Sequence, residues 1–245
     1  MTQSRTTSTQ STSDVTSANT RTTRIGAALG VVSIVLVATG FAIAMPTEAT
    51  ITSSPDEVAA FYEQAGLART LAGGMIEVLG LVLFVPFAVM LSGRVGGPGV
   101  AGDVLAPTAR TAAGIYVAVC LAPGMSAGAT ALWLAHHGAP DAAALTALND
   151  LRSLSYFIAL VPFAVFLVAI GSAARMTRSL PGWASSGAIV IGAALAVSVP
   201  FAGYGITDLL GLIGLVWVLA VSVALLRRPL ALPLARERDT HGRPS

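Results

Sequence analysis

Of the 245 residues, 54% are hydrophobic and only 11% charged, with a mean hydropathy of +0.77, whereas a soluble domain carries roughly a quarter charged residues. A water-soluble globular domain is thereby excluded. The formal charge of +2 and the pI near 9.1 do not announce a nucleic-acid partner, because the basic residues sit in short segments beside apolar runs, a distribution that reports membrane orientation.

Residues 1–22 are dominated by Ser, Thr, Gln, Asn and Arg, with too little apolar surface to offset the entropy of ordering them. They read as a disordered cytoplasmic tail. Residues 23–228 read as an all-α polytopic membrane helix bundle of six transmembrane helices, and residues 229–245 as a polar cytoplasmic tail. The spans are the apolar runs 25–45, 70–91, 111–135, 153–174, 183–201 and 206–226, each near the roughly 20 residues that cross about 30 Å of hydrocarbon. The first run follows Arg21 and Arg24 and ends in Ala42-Ile43-Ala44, which mimics a signal-peptidase site. It is longer than the usual secretory core of about 7 to 15 residues, so retention as a helix is expected.

Orientation follows from the basic residues, all 14 of which are Arg, a usage that goes with a GC-rich bacterial genome. Placing the N-terminal tail in the cytoplasm leaves only Arg69 and Arg152 outside; Arg5, Arg21, Arg24, Arg94, Arg110, Arg175, Arg178 and every Arg from Arg227 onward fall inside. The positive-inside rule therefore predicts both termini in the cytoplasm and a location in the cytoplasmic membrane.

On the outer side, Ser54-Pro55-Asp56-Glu57 has the form of a capping box with Pro at the first helical position. Val58, Phe61, Tyr62 and Ala65 follow as a stripe at helical spacing, which predicts a short amphipathic helix lying at the outer interface. Pro140-Asp141 marks a helix start that runs through Asn149, Asp150 and Arg152 into the fourth span. The inner segment 92–110 is Gly-rich and contains Pro98 and Pro107, so it reads as a flexible loop. Val85-Pro86-Phe87-Ala88-Val89 in the second span recurs as Val161-Pro162-Phe163-Ala164-Val165 in the fourth. Chance and a parallel repeat of helix pairs are both open readings.

Glu77 is the most informative residue, an acid about two turns into an otherwise apolar span, where charge is expensive and normally faces protein or water. Thr70, Gly73, Gly74, Gly80 and Ala88 share its face, and small residues are what close helix contacts in membranes select. Glu77 is thus either a proton- or cation-linked site or a structural acid paired with an Arg or a hydroxyl. Arg152 and Asp208 head the fourth and sixth spans, with Asp150 close by; they either join Glu77 in an outer-leaflet polar cluster or simply meet headgroups, and Asp208 suits the helix dipole in either case. Arg152 is the expected partner of Glu77. Adjacent His136 and His137 do not form an i, i+4 ligand pair, so a metal site with Asp141 is not expected. The single Cys120 lies in an apolar run and reads as a small packing residue. Gly26-x-x-x-Gly30 and Gly124-x-x-x-Gly128 fit tight helix packing. No motif asks for a cofactor.

The Arg-preceded first span, Gly73-Gly74-Met75-Ile76-Glu77-Val78-Leu79, Leu180-Pro181-Gly182-Trp183-Ala184 and a sixth span containing Trp217 together resemble the bacterial membrane proteins grouped as domain of unknown function 4386. The resemblance covers about residues 22–228. It implies the membrane architecture and no activity. The expected function is that of a non-enzymatic membrane protein binding or passing a small solute or ion near Glu77. The alternatives are a structural or regulatory subunit packing against another membrane protein or a second copy through Gly/Ala-rich faces, and, last, a membrane-embedded enzyme using Glu77, Asp150 and His137. The bilayer is the expected environment.

Overall fold

The computed structural model describes residues 9–44, 49–138, 141–202 and 205–227, with side chains from residue 20 onward. The helices are α1 (Thr9–Ala44), α2 (Pro55–Gln64), α3 (Leu67–Val95), α4 (Ala106–Val119), α5 (Ser126–His137), α6 (Ala142–Thr177), α7 (Gly182–Ser198) and α8 (Ile206–Arg227). Six continuous helical segments are long and apolar enough to cross a membrane: Thr20–Ala44, Leu67–Val95, Ala101–His137, Ala142–Thr177, Gly182–Phe201 and Ile206–Arg227. The chain is a multi-pass integral membrane protein.

Two sequence expectations are corrected. Residues 9–22, read as part of a disordered tail, are helical and continue α1. No Gly or Pro lies between Thr9 and Arg24, and a helix nucleated by the apolar run propagates through Ser and Thr at a cost of roughly half a kcal/mol per residue. Residues 1–8 and the C-terminal tail lie outside the described residues. The loop 92–110 is also shorter than expected: α3 continues to Val95, and a π-helical turn, Ala101–Leu105, leads directly into α4. Pro107 follows that turn within one helical path, and the widened turn before it accommodates the donor the ladder loses there.

The third span is one helical path with a defect. At Cys120–Met125 it widens into a π-helical turn around Pro123 before continuing as α5. Pro deprives the ladder of a donor, and a widened turn is one way a helix accommodates that loss.

Around the bundle, α1 lies between α3 and α8, α3 meets α4, α4 meets α6, α6 meets α7, and α7 meets α8. The ring closes, with α6 leaning inward against α3 and α8 as well. Its most apolar window is 61% buried against 33–39% for the other spans, which makes it the central helix.

Glycines set the closest crossings. A Cβ on Gly40 of α1 would fall 2.6 Å from the Glu77 nitrogen and the Gly73 carbonyl oxygen of α3, and one on Gly80 would fall 2.8 Å from the Ser33 carbonyl oxygen. Ser33 Oγ donates to the Gly80 carbonyl (2.7 Å) along the same seam. The ring interior is filled by Phe84 and Phe87 of α3, Tyr116 of α4, and Phe163 and Phe166 of α6, with ring centroids 4.9–6.2 Å apart. Phe87-Ala88 and Phe163-Ala164, the centres of the repeated pentapeptide, are buried in this one core.

At one end of the bundle α2 begins as expected. Ser54 Oγ accepts from the Glu57 N–H (3.3 Å), and the Glu57 carboxylate accepts from the Ser54 N–H (2.7 Å). The backbone bond, and secondarily the hydroxyl, hold the Glu57 pKa below its ordinary value. The apolar stripe packs on protein: Val58 and Tyr62 are buried with Ala131, Leu132 and Leu145, and Phe61 and Ala65 are partly buried beside them.

Candidate functional site

The polar residues singled out in the sequence fall into two tiers. The first lies at the end of the bundle that carries α2. Helix α6 starts as expected, with the Asp141 carboxylate accepting from the Ala143 N–H (3.2 Å). One face of its N-terminal extension carries Asn149 and Arg152. Asn149 is fully buried; it accepts from the Tyr62 hydroxyl (3.4 Å) and donates to the Thr50 carbonyl (3.3 Å). Arg152 Nη2 donates to the Ala49 carbonyl (3.0 Å) and to Asn149 Oδ1 (3.4 Å). A Cβ on Gly128 of α5 would stand 2.9 Å from Arg152 Cδ, so the absence of a side chain there makes room for the arginine stem. On the neighbouring α3, Arg69 Nε donates to the Ile43 carbonyl (2.9 Å) and Thr70 Oγ1 to the Ala44 carbonyl (3.3 Å). Thus Arg69 holds a carbonyl in the last turn of α1, and Arg152 one in the connection from α1 to α2.

The second tier is deeper. Glu77 is half-buried on α3, where its backbone lies against Gly40. Its side chain interacts electrostatically with Tyr116 and Cys120 of the third span, and Tyr116 interacts likewise with Tyr156 of α6. Tyr116 stacks on Phe163 (4.9 Å) and meets Phe84 edge-on (5.7 Å), so the aromatic core adjoins the site on the side away from α2. A carboxyl in this electrostatic surrounding can hold a proton or a small cation.

Asp150 is half-buried, about 100° around the helix from Asn149. Asp208 is exposed in the first turn of α8, next to Thr207, whose buried hydroxyl donates to the Ser198 carbonyl (3.0 Å). His136 Nε2 is 2.8 Å from the Ala65 carbonyl, whereas His137 stacks on Trp133 (3.8 Å). The histidines therefore serve different contacts. Among the described residues no group of three or more His, Cys, Asp or Glu is placed to hold a metal.

Sequence reading missed Tyr116, Tyr156, Asn149 and Tyr62 as site members, and took Cys120 for packing alone. The signal available was spacing: Tyr116 and Cys120 are four apart on one helical path and so share a face, and Asn149 is three before Arg152. Two segments of the suspected family resemblance do meet, since the buried Trp217 indole donates to the Ala184 carbonyl (2.9 Å). Comparison with family models, curated proteins and solved structures found no match.

Proposed function

We propose that this protein binds a proton or a small monovalent cation at Glu77, within the cytoplasmic membrane of a bacterium, with both termini inside and α2 outside. The observation that carries the reading is an intramembrane carboxyl, half-buried where α3 crosses α1, within electrostatic reach of Tyr116 and Cys120. An acid inside a membrane span is read first as a functional site. The aromatic core adjoining Tyr116 favours binding from the α2 end over free passage through the bundle. The Arg distribution supports the orientation. On the residues already named, we place the chain with the domain of unknown function 4386 proteins.

The test is thermal unfolding of the purified protein across pH and in sodium, potassium or choline chloride. The wild-type midpoint should respond to protons or to one metal cation, because a ligand that binds the folded state stabilises it by mass action. Glu77→Gln should abolish that response. An unchanged response in the variant sinks the proposal.

A second reading, a structural or regulatory subunit, draws support from Gly74 and Gly114, which have nothing within 4 Å of a built Cβ. Most other span glycines are already used within the chain. A stoichiometric membrane partner that co-purifies with wild type and is lost in Gly114→Leu would favour it.

A further inference from the structure

At the opposite end from α2, the turn between α6 and α7 borders an open cavity of about 490 Å³ lined by Ala174, Arg175, Arg178, Leu180, Gly182, Ser185 and Ser186. We propose that this cavity is a binding site for a phosphate group, carried by an anionic lipid or by a soluble phosphate, and separate from the Glu77 site.

Two guanidinium groups and the Ser186 hydroxyl line the cavity, together with Ser185, whose own hydroxyl donates to the Pro181 carbonyl (3.3 Å), and no acidic side chain is among the lining residues. Arg175 Nη1 donates to Ser186 Oγ (3.3 Å), which steers this arginine over the cavity while using one of the five N–H groups of its fork. Guanidinium pairs match the several acceptor oxygens of a phosphate better than they match one carboxylate. The volume lies within the range of small-ligand pockets, about 300 to 1,000 Å³.

Arg178 supplies a further observation. It is the only non-glycine residue with positive φ among the described residues, at 52°. It caps α6 in the left-handed conformation, where Ser179 N–H reaches the Ala174 carbonyl (3.2 Å). This is the position that glycine favours in such a cap. An arginine there is the worse choice for the backbone, which points to use of the side chain. Trp183, 54% exposed in the first turn of α7 beside the cavity, has the amphipathic ring that settles at headgroup level. It gives the lipid source a contact that a soluble anion would not need.

Arg178→Gly separates binding from folding, because it removes the guanidinium while giving the cap its preferred residue. The protein in detergent is titrated with short-chain phosphatidylglycerol, with phosphatidylcholine, and with inorganic phosphate against chloride at matched ionic strength, and the unfolding midpoint is followed. Wild type should be stabilised by phosphatidylglycerol more than by phosphatidylcholine if the source is a lipid, or by inorganic phosphate if it is soluble. Arg178→Gly and Arg175→Gln should each weaken the apparent affinity about tenfold, with the ligand-free midpoint of Arg178→Gly unchanged or raised. If neither phosphate source stabilises wild type, or both variants respond as wild type does, the site does not exist. A response retained in Glu77→Gln would show that it stands independently of the cation reading.

Discussion

An ionisable group inside a membrane is legible in sequence because its surroundings are so uniform. Glu77 could be singled out for that reason, whereas Tyr116 and Cys120 could not, since a phenol and a thiol are ordinary packing residues until the helix they face is known. Arg152 remains the expected partner of Glu77, and its geometry adds a condition: the same guanidinium already serves the Ala49 carbonyl and Asn149. If the pair forms, Glu77→Gln and Arg152→Gln should each lower thermal stability, and the double variant should lose less than the sum of the two. Strict additivity would leave Glu77 to Tyr116 and Cys120. Removing Arg152 should cost about 2 to 3 kcal/mol through its charge-assisted bonds alone, and Arg69→Gln less, because its single bond to the Ile43 carbonyl is exposed. These two arginines are the exceptions to the charge asymmetry, and each donates to a backbone carbonyl, Arg69 in the last turn of α1 and Arg152 in the α1–α2 connection, a structural reason for tolerating charge on the minority side.

Helix starts were legible because they are written locally, as the capping box of α2 and the Asp141 cap of α6 show. Pro107 misled because a proline that usually marks a loop can also follow a π-helical turn inside a helix. The partners of each face were not legible, since they depend on elements distant in the chain; the α2 stripe looked ready for a membrane surface but packs on α5 and α6. Glu57 makes that small helix sensitive to acid. Its folded pKa lies below the ordinary value of 4.5, so the cap is at full strength above that value and weakens as pH falls through the lower one. Amide exchange at Ser54 and Glu57, corrected for intrinsic rates, should show this loss of protection in wild type. Glu57→Gln should not show it, and an identical pH profile in the variant would refute the assignment. Two adjacent glycines provide the packing test. Gly73→Ala drives a Cβ to within 2.6 Å of the Ala44 nitrogen, whereas Gly74→Ala meets nothing within 4 Å. The first should destabilise by about 1 to 3 kcal/mol, and the second should be neutral or gain up to about 1 kcal/mol of helix propensity. Equal melting points would mean that α1 and α3 do not cross this closely.

For the molecule as a whole, composition and run length were enough to count the spans, but their depth in the bilayer emerges only from the helices. The 36 residues of α6 extend about 54 Å at 1.5 Å per residue, against about 30 Å of hydrocarbon. The excess at its N-terminus is where α2 docks and where Asn149 and Arg152 Nη2 make their hydrogen bonds. Reporter fusions on residues 51–66 and at the C-terminus should therefore read opposite sides of the membrane. Matching readings would overturn the topology.

The three indoles have an optical consequence. Trp133 on α5 is 55% exposed near the end that carries α2, Trp183 is 54% exposed at the other end, and Trp217 is 4% exposed with its N–H bonded inside the bundle. The chain therefore carries a natural emission ruler. An aqueous quencher confined to one face of a sealed vesicle should darken one exposed indole and spare the other, while the sheltered third supplies an internal reference in the same spectrum.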